Sequence, residues 1–485
     1  MDLIEHYLDH GAREGRSASA SFDTQWYRAR YPDVDASGLN PIIFHIRHGH
    51  NRDTVIPPRM RALLRLNIRR WSPIEAAIRT ETRFHPLKRL PINASIPSVP
   101  LFQAWTRLFA SLPAGIDRIV FVPWIVHSGA DLASANMVKA AIDAYGVQSV
   151  LVVVTDAPRL EAVDWLPPGT LVAVLPLIDQ TLGHEDRVRL TELIVFSLRP
   201  KAIMNVNSRA CWDLFLSKGK ALSSMCRLHA AMFCQDYTDS GVPIGYSDTH
   251  FMGTIDNIEK LYIDNSTFIQ KIIADYQLPA SYASKLALLR QPCTVGKNAT
   301  RQVGGGKRMR VIWAGRFSKQ KNTRLLERIV RCAPDIDFTV YGTGSTEFES
   351  RLTALSTEVG NLSLRGGYRS LGELPLQEFD AFLFTSLWEG LPTTVIHVGA
   401  TELPIVASGV GGIQELIHEE TGWRIDSTDD ETMYAEALRE IWVNKAGAER
   451  RAQRLRQLVV EQHSWSGFVA ELSRESSFLS PSHGN

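Results

Sequence analysis

Apolar and polar positions follow two rhythms along this chain. Runs of nearly uninterrupted apolar residues, many of them β-branched, stand at 119–123, 150–155, 171–175, 202–206, 230–234 and 261–264. They recur at 311–314, 338–341, 362–365, 381–385 and 405–407. Stretches with helical spacing, such as 133–145, lie between several of them. A strand that is apolar at consecutive positions is buried on both faces. Such strands alternating with helices predict parallel, doubly wound sheets. The two sets are separated by residues 294–308, a flexible linker with Gly304-Gly305-Gly306 at its centre. The pattern predicts an α/β chain with two Rossmann-like domains, 113–293 and 309–450, followed by an amphipathic C-terminal stretch at 451–485.

The first 112 residues have another character. His10-Gly11 recurs as His48-Gly49, a spacing of 38, with apolar Leu8 matched by Ile46. This predicts a small helical repeat module over 1–55. Its dense histidines (His6, His10, His45, His48, His50) fit no metal-ligand spacing and are expected to pack. In 56–112, a basic amphipathic linker, Arg59, Arg61, Arg65, Arg69, Arg70, Arg79, Arg83, Lys88 and Arg89 face only Glu75 and Glu81. Met60, Leu63, Leu64, Ile68 and Trp71 form a helical apolar stripe. Two readings stay open for 59–89: contact with an anionic membrane surface, or packing on a neighbouring domain with solvated arginines.

Composition narrows the function classes. A net charge of +1 gives no global attraction to nucleic acid. Five cysteines without a C-x-x-C pattern predict reduced thiols in a cytoplasmic protein. The start, MDLIEHYLDHG, is polar and acidic and does not read as a signal peptide. No apolar run is long enough for a membrane-spanning helix, so any membrane contact is expected to be peripheral, at the inner face.

The candidate chemistry lies at strand ends. Gly315, Arg316 and Lys321 follow the first strand of the second domain. Gly342 and Gly344 follow the next. After 381–385 come Trp388-Glu389-Gly390-Leu391-Pro392, then Thr393, Thr394 and His397 on a helix opening at Pro392. Gly411, Gly412 and Glu415 follow 405–407, where another helix is expected to open near Ile413. In open α/β sheets, ligands bind beyond the carboxyl ends of the strands, and helix N-termini suit phosphate. Arg316 and Lys321 stand on a loop at such a strand end, where cations suit an anionic ligand, although an Arg and a Lys on a loop are by themselves usually solvated. Glu389 is placed to accept hydrogen bonds from hydroxyls of the molecule carrying that phosphate. In the first domain, Gly129, in the turn Ser128-Gly129-Ala130-Asp131, lets backbone approach a ligand. An ordinary turn capped by Ser128 or Asp131 explains that segment equally well. His229, Asp236 and Asp239 are candidates for contacts with a second substrate, with a core role the favoured alternative for His229. Asp33-x-Asp35 and Asp335-x-Asp337 lie outside these motifs, and no metal site is expected.

The order Gly315-Arg316…Lys321, Gly342-x-Gly344, Glu389-Gly390-Leu391-Pro392, Gly411-Gly412…Glu415 resembles the donor site of family 4 glycosyltransferases, which have the GT-B fold. The stretch 22–50 resembles a helical repeat found beside bacterial polysaccharide glycosyltransferases. The resemblance implies two Rossmann-like domains facing a cleft. It implies a retaining, metal-independent transfer from a UDP- or GDP-linked sugar to a saccharide or lipid-linked acceptor in cell-surface polysaccharide synthesis, with no further cofactor. It assigns Arg316, Lys321 and Glu389 to catalysis, and implies that the final helix crosses back to the first domain. The sequence departs from the family at two positions. His397 replaces the second Glu of the Glu-x7-Glu motif, and Ser128 replaces the first Gly of a Gly-Gly loop. A non-catalytic binding subunit and an epimerase or phosphorylase of the same fold stay open as alternatives.

Overall fold

The structure is a computed structural model. It describes residues 3–19, 22–49, 52, 54, 99–238, 240–293 and 307–480. Most of the basic linker, including the whole 59–89 segment, lies outside the described residues, as do His50 and the Gly-rich stretch 294–306. The chain divides into two compact units. One comprises Met1–Trp124, Tyr145–Arg159 and Gly169–Arg227, and the other Ile125–Ala144, Leu160–Pro168 and Leu228–Asn485.

In the first unit, β1 (Arg118–Val122), β2 (Val150–Val154), β3 (Leu171–Val174) and β4 (Ala202–Val206) are parallel, in the order β3-β2-β1-β4. β1, β2 and β4 are buried at every position, which is why their sequences run apolar without alternation. The N-terminal helices Thr24–Arg30 and Pro41–His48 close on a small core of Phe22, Tyr27, Val34 and Phe44. Of its histidines, His45 Nδ1 lies 3.2 Å from the Tyr27 hydroxyl, whereas His10 and His48 are exposed, the His48 ring tilted beside Phe44.

The second unit carries β5 (Arg227–Met232, from Leu228 on), β6 (Lys260–Ile263) and β7 (Leu286–Leu288), parallel in the order β5-β6-β7. It also holds a six-stranded parallel sheet in the order β10-β9-β8-β11-β12-β13. These strands are β8 (Met309–Ala314), β9 (Ile336–Tyr341), β10 (Leu362–Leu364), β11 (Ala381–Phe384), β12 (Ile405–Ser408) and β13 (Trp423–Ile425). One face of this sheet packs Val311, Trp313, Phe338 and Val340 against Leu325, Ile329, Leu438 and Ile441 of the flanking helices. The other packs Ile312, Phe382, Phe384 and Ala407 against Val395, Ile396, Leu455 and Val459. After helix Trp465–Leu472 the chain runs onto β6, where the Phe478 amide donates to the Tyr262 hydroxyl at 3.0 Å.

Several local expectations need correction. β5 starts earlier than the apolar run 230–234 indicates, because Arg227 and His229 belong to it. Pro392 is the N-cap of helix Thr393–Gly399, not its first turn. The helix expected near Ile413 is a single 3-10 turn, Gly411–Glu415, opened by Gly411 in the left-handed region. Asp335 and Asp337 are held by Arg439 and Arg308 respectively.

Candidate functional site

In a parallel sheet all strands end on one edge. β8, β11 and β12 are adjacent, so the loops that follow them share that edge. The β8 and β11 loops are stitched together by their own backbone and side chains. The Leu387 amide donates to the Gln320 carbonyl at 2.8 Å, and Thr385 Oγ1 donates to the Lys321 carbonyl at 2.8 Å. Gln320 Nε2 donates to the Trp388 carbonyl at 3.1 Å. Asn322 takes the left-handed conformation (φ 53°) as the N-cap of helix Thr323–Cys332, which turns Lys321 back towards β11.

The result is an ion pair. Lys321 Nζ lies 2.5 Å from Glu389 Oε1, with side chains 18% and 9% exposed, and 4.9 Å from the centre of the Phe384 ring. Arg316 differs: its side chain is exposed, and it forms no ion pair among the described residues. The two cations expected to act alike are therefore unequal. One is committed to a carboxylate, and the other is open to an incoming anion.

The turn carrying Glu389 is held tightly. A methyl group on Gly390 would stand 2.3 Å from the Phe233 carbonyl oxygen. Gly411 has φ +56°, and a Cβ there would stand 2.0 Å from the Glu389 carbonyl oxygen. The Gly412 amide donates to the Gly390 carbonyl at 2.8 Å, locking the β12 loop to the turn. Leu391 is buried beneath it, and Thr393 and Thr394 stand half-buried at the first turn of helix Thr393–Gly399. The Gly129 end of helix Gly129–Tyr145 comes to this place, its Cβ position lying 3.2 Å from Thr393 Oγ1. Ser128 Oγ donates to Asp131 Oδ2 at 2.5 Å and accepts the Asp131 amide, so the 128–131 turn is capped by both residues.

Other predicted residues fall differently. Gly342 and Gly344 press on the loop after β8: a Cβ on them would stand 2.0 Å from the Gly315 and 2.1 Å from the Phe317 carbonyl oxygen, the Phe317 amide donates to the Thr343 carbonyl at 2.8 Å, and Phe317 and Gly344 form a parallel bridge. The Gly315 amide donates to the Tyr341 carbonyl. Glu415 Oε1 accepts from the Thr267 amide at 2.9 Å and its hydroxyl at 3.0 Å, so that oxygen is spent within the fold. His397 is half-buried on the last turn of its helix, and burial holds its pKa below the usual histidine value. Burial also pushes the pKa of His463 down to about 4, against the hydrogen bond to the Gln291 carbonyl.

On the second-substrate side, His229 lies in β5 with no exposed surface, its ring 6.0 Å from Tyr262 and 5.9 Å from Phe478. A ring in that core offers nothing to a substrate, so its candidacy is withdrawn. Asp236 is exposed on the loop after β5, and Asp239 lies outside the described residues. Tyr237 on that loop meets the Trp388 ring edge-on at 5.4 Å.

Sequence reasoning missed Asp264 and Asn265, which follow β6 and underlie the Glu389 turn. Asp264 is 5% exposed, and its Oδ2 accepts the Leu391 amide at 3.3 Å. Burial pushes its pKa up to about 7, against the pull of Asn265 and Leu391. The available signal was a pair of polar residues at the carboxyl end of an apolar strand.

Comparison with known proteins gives fold and kinship over part of the chain. The structure resembles a glycosyltransferase from Rickettsia africae ESF-5 (TM-score 0.56, 12% identity, 75% of this chain and 98% of that one). It also resembles Anabaena Alr3699/HepE in complex with UDP-glucose (TM-score 0.54, 13% identity, 73% and 98%). A third likeness is to the apo form of the lipopolysaccharide outer core galactosyltransferase WaaB (TM-score 0.55, 12% identity, 73% and 97%). At these identities the likeness is one of fold: two parallel α/β sheets of the GT-B class. In sequence, 125 residues are 29% identical to the O-antigen biosynthesis glycosyltransferase WbnH of Escherichia coli, covering 26% of this chain and 36% of that protein. The probable O-antigen biosynthesis glycosyltransferase WbiN of the same organism matches equally. The matched stretch thus spans about a third of these relatives. Residues 308–444, which contain Arg316, Lys321, Glu389 and Glu415, match the family model described as Glycosyl transferases group 1.

Proposed function

We propose that this protein is a glycosyltransferase of surface polysaccharide synthesis. It moves a sugar from a UDP- or GDP-linked donor to a saccharide or lipid-linked acceptor. The observation that carries the reading is the Lys321–Glu389 pair set beside the open Arg316 at one sheet edge. The nucleotide sugars and O-antigen pathways named for the relatives support it.

Chemistry follows from those groups. As the glycosidic C–O bond breaks, negative charge grows on the diphosphate. Arg316 meets that charge directly, and Lys321 shares itself between it and Glu389. The second Glu389 oxygen accepts from sugar hydroxyls. The acceptor oxygen bonds to the anomeric carbon on the face the diphosphate leaves, and its proton passes to the departing phosphate oxygen. Configuration is retained, and the two cations make a metal unnecessary. NMR of the product with the competent donor tests this: the donor's anomeric configuration is expected, undiminished in EDTA. An inverted product, or loss in EDTA reversed by Mg²⁺ or Mn²⁺, refutes the mechanism.

A further inference from the structure

Asp264 sits where β6 ends, and its two carboxylate oxygens are divided between two N–H groups. Oδ1 accepts from Asn265 Nδ2 at 2.6 Å, and Oδ2 accepts the Leu391 amide at 3.3 Å. Asn265 is fully buried. It caps helix Ser266–Asp275 by accepting the Phe268 amide at 2.8 Å, so the base of the arrangement is fixed. Above it the turn has no slack. A Cβ on Gly390 would stand 3.1 Å from Asp264 Oδ1, and one on Gly412 would stand 2.6 Å from the Asn265 Cβ.

We propose that Asp264 is a positioning residue of the donor site: its carboxylate seats the 389–392 turn through the Leu391 amide, and so sets Glu389 against Lys321 and the donor. The inference rests on the functional reading above. Asp264 itself touches no substrate. The seat is firmest in the ionised form, because a charged oxygen is the stronger acceptor for each N–H. A proton on either oxygen adds a donor and leaves weaker, neutral acceptors facing the two N–H groups.

The seat is therefore sensitive to pH. Burial raises the Asp264 pKa to about 7, and the neighbouring Glu415 pushes the same way. Cys234, from the loop after β5, faces the same ground, bearing on Asp264, Glu389, Asp236 and Lys321, and stays a protonated thiol because burial raises its pKa. The carboxylate fills as pH rises through about 7, and the turn firms with it.

The test uses Asp264→Asn in the full chain, which keeps the shape but places an NH₂ against one of the two N–H groups. Two readouts are taken between roughly pH 6 and roughly pH 8, which brackets the titration. One is hydrogen–deuterium exchange of a peptide containing Leu391, corrected for intrinsic rate. The other is kcat/KM for the donor. Wild type is expected to gain protection and up to about tenfold in kcat/KM over that range, following the rise in the ionised fraction of a group titrating at about 7. The variant is expected to stay flat at the low level, and Asp264→Glu to restore part of the slope. Unchanged protection in Asp264→Asn overturns the seat, and lost protection with unchanged kcat/KM overturns its role in positioning. If wild type turns over no nucleotide sugar, the functional reading fails, while the exchange arm still decides the seat.

Discussion

Replacing Lys321 by Ala is expected to do two separable things. It removes a cation from the site, and it strands Glu389, a carboxylate only 9% exposed, without the Nζ that lies 2.5 Å away. Removing one member of a fully buried pair costs about 3–5 kcal/mol, because the remaining charge is uncompensated. Lys321 keeps 18% exposure, so water reaches part of the gap, and about 2–4 kcal/mol is the expected loss. The cost belongs to the stranded charge, so removing the charge as well relieves it. Lys321→Ala/Glu389→Ala is then less destabilised than the sum of the singles, with a coupling of about 1–3 kcal/mol. Urea denaturation of the four proteins measures the cycle, and donor turnover on the same samples measures the catalytic loss, roughly 10²–10³-fold. Strictly additive singles, or an unchanged midpoint in Lys321→Ala, would refute the pair as the centre of the site.

Arg316→Ala is expected to lose turnover by roughly 10²–10³-fold while leaving the urea midpoint in place, since its side chain is exposed and forms no ion pair among the described residues; a shifted midpoint contradicts its being open. His397→Glu is expected to lower the donor KM with little change in kcat, because a carboxylate accepts from two ribose hydroxyls where a neutral imidazole accepts from one; an unchanged KM means that the ring does not touch the nucleotide. His463 has its pKa depressed to about 4, so its contribution to stability is complete above the ordinary histidine value and is lost as pH falls through that range towards about 4. The slope is about 1.4 kcal/mol per pH unit, read as the difference between wild type and His463→Asn in urea, and parallel profiles refute the assignment.

Most of the sheet architecture was legible because a strand buried on both faces writes itself as a consecutive apolar run, as in β2 and β4. β7 and β13, with three residues each at sheet edges, are too short to rise above their surroundings. The motif residues after β8 and β11 were legible because their chemistry is local to one loop. Their unequal roles were not, since the Lys321–Glu389 pair joins residues 68 positions apart. The role of Asp264 was hidden for the same reason: only the polar pair at a strand end was local, while its bond to Leu391 spans 127 positions. For His229 the small apolar neighbours favoured a core role over substrate contact, and the structure buries it completely. None of the helices among the described residues is long and apolar enough to cross a membrane.

A nucleotide sugar is expected to bind at the Arg316–Glu389 edge. Thermal unfolding in the presence of a panel of UDP- and GDP-linked sugars tests it most directly, for wild type and Arg316→Ala side by side. A ligand that binds only the folded state at a hundred times its Kd stabilises it by about 2.7 kcal/mol. Wild type is expected to show a raised Tm with at least one donor, and Arg316→Ala a much smaller rise. No shift with any nucleotide sugar, or an equal shift in the variant, would contradict it.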